Sequence, residues 1–291
     1  MIRSRRFWAL AALAASFGHL YREVLIKLVH DWATDGNYSH GFLIVPLAVY
    51  FAWQRRAALS AASARPSVLG LVVILGSLVV LAAGIFGAEL FLSRLSMIGI
   101  LAGIVLFAYG WRALRTLSFP LAFLLLMIPI PAIVFNQIAF PLQLLASRAG
   151  EAVLNVMQIP VLREGNVIVL ANTSLEVAEA CSGIRSLVSL LTLAIIYGYF
   201  VEPRIWARIV LAIAAIPVAV VANGARVAGT GIAAHYYGPE AAQGFFHEFS
   251  GWLVFVVAFA CLFAIQGLIE RLPYGRNRRH AVPANAGELR V

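Results

Sequence analysis

The sequence predicts an all-α integral membrane protein, a polytopic bundle of about eight transmembrane helices. Three observations carry that prediction. The 291 residues are 62% hydrophobic and only 12% charged, against roughly 45–50% apolar and about 25% charged in a soluble domain. Several apolar runs reach the ~18 residues needed to cross a bilayer. The basic residues gather in every second inter-span loop, as the positive-inside rule requires.

Eight spans are drawn at about 7–28, 38–54, 67–87, 94–111, 117–137, 184–201, 205–235 and 248–269. The first follows Arg3, Arg5 and Arg6 and has signal-peptide features, but the parity of the topology works with it retained as an uncleaved span. Pro129 and Pro131 in the fifth predict a kink or break near its outer end. The seventh is too long for one simple crossing. Gly224, Gly229 and Gly231 would let its end bend or protrude.

With both termini cytoplasmic, fifteen of the 22 basic residues fall in cytoplasmic segments. The net charge of +9 is therefore topological. It faces anionic lipid and calls for no nucleic-acid partner. Residues 1–275 read as a single membrane domain and 276–291 as a basic, disordered cytoplasmic tail. The one large extracytoplasmic loop covers about 138–183. Its first part, "FPLQLLASRAGEAVLNVMQIPV", spaces apolar residues like an amphipathic surface helix. Its second part, "LREGNVIVLANTSLEVAEACSG", alternates like a short hairpin with Asn172-Thr173 near the turn.

That loop delivers Cys181 to the outer end of span six. Arg226 lies 21 residues into span seven, about 30 Å along a helix rising ~1.5 Å per residue. Asn223 shares its face. His247, just ahead of span eight, falls at the same level. A thiolate nucleophile favoured by nearby cations, a general acid-base and an oxyanion donor together suit acyl transfer through a thioester. Ser182-Gly183 permits the turn into span six, Glu179 lies just ahead of it, and Arg185 follows in the first turn.

Each residue also has a bland reading. Cysteines fill space in membrane helices, and Cys261, mid-span among Phe and Ala, is assigned no role. Interfacial arginines snorkel to headgroups, although an arginine within a span is costly enough to mark function. His235 competes with His247 for the base. The cluster His30, Asp31, Asp35 and His40 matches no metal-ligand spacing and reads better as a hydrated loop with Trp32 and Tyr38 as interfacial aromatics. His40 and its neighbours could still line a substrate entrance. No metal or cofactor is expected.

The stretches "EACSGIRSL", "NGARVAGTGIAAHYYG", "FFHEFSGWLVF", "YSHGFLIVPLAVYFAWQRR" and "FPLQLLASRAGEAVLNVMQIPV" resemble the exosortase family, in the right order over nearly the whole chain. The resemblance implies a multi-pass cysteine transpeptidase of the bacterial inner membrane with its active site facing the periplasm. Cys181 would be the nucleophile, with Arg226 and His247 its partners. Its substrates would be exported proteins bearing a C-terminal sorting signal: a Pro-Glu-Pro-type motif, a transmembrane helix and a basic cluster. Arg163, Arg185 and Arg226 would suit such an acidic motif. The new C-terminus would pass to an acceptor, an exopolysaccharide or a lipid. The residues alone also admit a transporter, which would want ionisable groups near the midplane on broken helices, or a lipid or polysaccharide acyltransferase.

Overall fold

The computed structural model describes residues 2–61, 64–171, 173–177, 184–238, 240 and 245–271, with side chains except at 2–7, 9–10 and 245–250. The contacts divide the chain into two compact units, 1–142 and 143–291. The predicted tail at 276–291 lies outside the described residues, as do Glu179, Cys181, Ser182 and Gly183.

In the first unit, α1 (Ile2–Leu20) and α2 (Arg22–Thr34) are followed by α3 (Gly41–Gln54), the short α4 (Arg56–Ala61), α5 (Leu69–Phe86), α6 (Leu90–Tyr109) and α7 (Trp111–Phe123). α8 (Ala132–Val156) crosses the boundary between the units. Small residues let α5 and α6 pack closely. Gly70 lies against the backbone of Phe107, Gly84 against Ser93, and Ser77 against Gly99. The seven-residue spacing of 70, 77 and 84 keeps these contacts on one face of α5. Packing of this kind replaces the hydrophobic drive that helices lack in lipid. Gly110, at φ +84°, ends α6 in a conformation that favours glycine, and α7 starts at the next residue.

The predicted break in the fifth span is present. α7 runs into a single 3-10 turn, Leu124–Met127, and the chain then leaves helical geometry until α8 starts at Ala132. The two helical arms are bent by 78°. Pro129 and Pro131 disfavour helix in the residues before them, and Ile128 is extended at φ −88°, ψ 120°. The freed backbone groups are met by the 30–40 segment. Trp32 Nε1 donates to the Met127 carbonyl at 2.9 Å. His40 Nε2 donates to the Leu126 carbonyl at 3.0 Å. The Ile130 amide donates to Tyr38 Oη at 3.2 Å. Trp32 packs over Gly41, where no side chain fits.

The sequence placed these residues in a hydrated loop with interfacial aromatics. The structure buries Trp32 and Tyr38 and uses them as backbone partners instead. Asp31 pairs with Arg94, which is 2% exposed, and also with Lys27 at 3.3 Å.

In the second unit, β1 (Val161–Glu164), β2 (Val167–Leu170) and β3 (Ser174–Glu176) form an antiparallel sheet in sequence order. The sequence anticipated one hairpin turning near Asn172-Thr173. There are two turns, and the first, at Gly165-Asn166, uses Gly165 at φ +65°. Then come α9 (Ile184–Val201), α10 (Ile205–Tyr237) and α11 (Phe245–Arg271). α10 is unbroken for 33 residues, about 50 Å, where the sequence left room for a bend.

Among the described residues, five helices are long and apolar enough to cross a membrane, or six if the bent pair is one span. The first drawn span falls across α1 and α2, and the second on α3, a shorter apolar helix. The protein is thus an α-helical, multi-pass membrane bundle.

Glu202 fastens the α9–α10 turn. It accepts from Arg204 at 2.6 and 2.8 Å and from Gln266 of α11 at 3.1 Å. The Arg204 hydrogen bonds hold its carboxyl at a pKa of about 2.

Two outcomes follow for thermal unfolding in detergent micelles. Asp31→Ala strands a buried arginine and should cost about 3–5 kcal/mol, whereas Arg94→Met, which removes the buried charge itself, should cost clearly less. Because the Glu202 pKa is lower folded than its ordinary value of about 4.5, its contribution is complete above that pH and lost as pH falls toward 2. Glu202→Gln should flatten that part of the stability–pH curve.

Candidate active site

Three helix pairings fix the geometry around Arg226. α9 and α10 run antiparallel. Gly198 faces Arg208 and Leu211, and Leu190 and Ala194 pack with Ala215 and Ala219. Continuing that register brings the head of α9 to the level of residues 223–226. Ile184, its first residue, is 1% exposed. α10 and α11 are also antiparallel, with Ala258 and Leu262 in the same cluster as Ala215 and Ala219. Further along, Ile269 clusters with Ala207 and Leu211. The same register sets Gly251 opposite Arg226. A β-carbon on Gly251 would lie 3.2 Å from Arg226 Nη2 and 3.3 Å from its Cζ.

The third pairing covers the next face of α10. Gly224 meets Ala149, Val227 meets Gly150, and Gly231 meets Leu154, so α8 runs parallel to this part of α10. The sheet joins here, with Ile168, Leu170 and Val177 sharing a buried cluster with Leu154, Val227 and Ala234.

α8 holds the sheet by polar contacts as well. Ser147, fully buried, has Oγ 3.0 Å from the Gly165 carbonyl. Arg163 Nε donates to Glu151 at 2.7 Å, so the Arg163 anticipated for an acidic motif serves this ion pair. Asn166 ties down the last described residue before Cys181. Its carbonyl accepts from the Val177 amide at 2.9 Å, and its Nδ2 donates to the Val177 carbonyl at 3.3 Å and to Gln143 Oε1 at 3.4 Å.

The anticipated site residues separate as follows. Arg226, partly buried, and Asn223, 4% exposed, stand one turn apart on α10. Arg185 is exposed at the head of α9. His247 is in the first turn of α11, one turn before Gly251. Its backbone therefore lies about 6 Å along the helix from the residue against Arg226. His235, the rival base, is nine residues beyond Arg226, about 13 Å along α10. His40 belongs to the other unit and is engaged at Leu126. Cys181 lies four residues after the buried Val177 and three before the buried Ile184.

The sequence reading missed Gly251, Asn166, Gln143 and Ser147. Nothing in a single sequence separates these from ordinary packing residues. No group of three His, Cys, Asp or Glu among the described residues could hold a metal ion.

A multi-pass helical membrane protein with an arginine of one long helix set where the heads of two others pack against it is the class that fold and site define. The family model for transmembrane exosortases matches residues 32–264, and the chain belongs to that family. No curated protein and no solved structure matches it significantly.

The Asn166 contacts yield a prediction. Asn166→Ala should change the rate of Cys181 alkylation by a maleimide severalfold in the folded protein and leave Cys261 alkylation unchanged. Mass spectrometry of the labelled peptides reads both.

Proposed function

We propose that the protein is a cysteine transpeptidase that cleaves the C-terminal sorting signal of exported proteins, at the periplasmic face of the bacterial inner membrane. One observation carries the reading: the helix registers that bring the Arg226 guanidinium to α11 one turn from His247 and level with the head of α9. Cys181 is within four residues of two buried anchors, Val177 and Ile184. At ~3.3–3.6 Å per extended residue, its tether is short enough to keep it near that point.

In this mechanism the Cys181 thiolate attacks the scissile carbonyl while His247 holds the thiol proton. The carbonyl oxygen becomes an oxyanion, hydrogen-bonded by Arg226. Collapse of the tetrahedral species breaks the C–N bond, and His247 passes its proton to the departing amine. The thioester left on Cys181 is then opened by an acceptor hydroxyl or amine, an exopolysaccharide or lipid group, which gives its proton to His247 and regenerates the thiol. Thiol, imidazole and guanidinium suffice for this sequence. Arg226 also favours the thiolate by its charge. Arg185, Asn223, Glu179, Ser182 and Gly183 would shape the substrate's approach. The substrate enters by diffusing in the membrane on its own helix.

Co-expression with an exported reporter carrying a Pro-Glu-Pro-type C-terminal signal tests this. Wild type should shorten and release the reporter, and Cys181→Ala should abolish processing at unchanged membrane insertion. Cys261→Ser should process normally. Processing by Cys181→Ala, or its loss in a well-inserted Cys261→Ser, sinks the assignment of the nucleophile.

A further inference from the structure

Gly251 is a helical glycine with no conformational need to be one. It lies inside α11, well past the first turn, and it is not among the glycines with positive φ. A glycine in a helix interior is less favourable than alanine, so a reason for it has to come from its surroundings. The three nearest heavy atoms to a β-carbon built there are Nη2, Cζ and Nε of Arg226, at 3.2, 3.3 and 3.7 Å. Among the described residues, and apart from the backbone of α11 itself, no other group comes as close. An alanine β-carbon would therefore press on the guanidinium, which would have to give by a few tenths of an ångström. Gly267, on the same helix, has nothing within 4 Å of such a carbon, so a tight approach is not general along α11.

The approach is also imposed from the other side. Gly224 and Gly231 on α10 are closed off by Ala149 and Leu154, and Val227 by Gly150. The neighbours of Arg226 on the sheet-facing side of α10 are thus packed against α8. The arginine side chain is left the face toward α11. It meets that helix at the one residue in the turn following His247 that has no side chain.

We propose that Gly251 is a positioning residue for the reaction. By leaving its side-chain space empty it lets the Arg226 guanidinium lie on the α11 backbone beside His247, and any side chain there moves the oxyanion donor off its place. This rests on the catalytic role assigned to Arg226 above.

The test is a double-mutant cycle read two ways. Gly251→Ala should leave the unfolding temperature in micelles unchanged or raised, since alanine is the better helix former, while reporter processing falls about tenfold or more. Gly251→Val should abolish processing. In an Arg226→Ala background, Gly251→Ala should lower any residual processing by less than twofold, because the group it displaces is gone. Independently of substrate, Gly251→Val should lower the unfolding temperature in the wild-type background and not in Arg226→Ala, where the space is free.

Full processing by Gly251→Val, or an equal stability loss in both backgrounds, overturns the proposal. If wild type itself fails to process any reporter while the stability coupling holds, the catalytic reading falls and the Gly251–Arg226 contact stands. Processing that falls with no stability coupling sinks the contact and leaves the catalytic reading intact.

Discussion

The closeness with which neighbours approach α10 is the constraint on which the second unit depends. A helix of 33 residues offers a long surface, and in lipid there is little hydrophobic gain from covering it. What it gains comes from short-range packing, which falls off steeply with a gap of even 0.5–1 Å. Alanine at 215 and 219 admits α9 and α11, and glycine at 224 and 231 admits α8. Each glycine is a local loss of helix propensity that a tight contact offsets. Because the contacts are tight, the registers have little freedom to slip. That rigidity keeps an arginine guanidinium, on a flexible stem, near one place.

The first unit solves a different problem. A span interrupted by two prolines leaves carbonyls and amides without helix partners, and in a membrane no bulk water replaces them. Three side chains from one short segment supply the missing partners at Leu126, Met127 and Ile130. The segment is itself fixed by the pair between Asp31 and the buried Arg94. Its density of His, Asp, Trp and Tyr has the look of a binding site in the sequence. In the structure its aromatic and imidazole groups serve backbone. Polar residues near a broken membrane helix thus have a second explanation that must be met before a ligand is invoked.

Much of this was legible in the residues. Composition and the length of apolar runs gave the class, and Pro129 and Pro131 gave the break, because both are local properties of the chain. The level shared by Arg226 and the start of α11 was legible too, since helical rise converts sequence distance into depth. Side-to-side relations were not. Depth along a helix says nothing of which face meets which neighbour, so nothing singled out Gly251 or Asn166. The two-turn sheet was half seen for a related reason. Alternation marks strands well, but Gly165-Asn166 sits inside what reads as one polar run, and only the pairing of Glu164 with Val167 exposes the turn.

A guanidinium lying on a helix backbone differs electrostatically from one reaching into water. Packed against Gly251 it is partly desolvated, and in the proposed reaction its field on a thiolate or oxyanion would be screened less than at a surface. It is also preorganised: less of its rotamer freedom remains to be lost when charge develops on a substrate oxygen. Both effects need the side chain close to α11, and a single methyl group at 251 would work against both. On the proposed reading, the glycine that weakens the helix is the feature that would give the arginine its strength as a donor. The trade is local, because helices packed on three sides around α10 hold the register without help from that one residue's propensity.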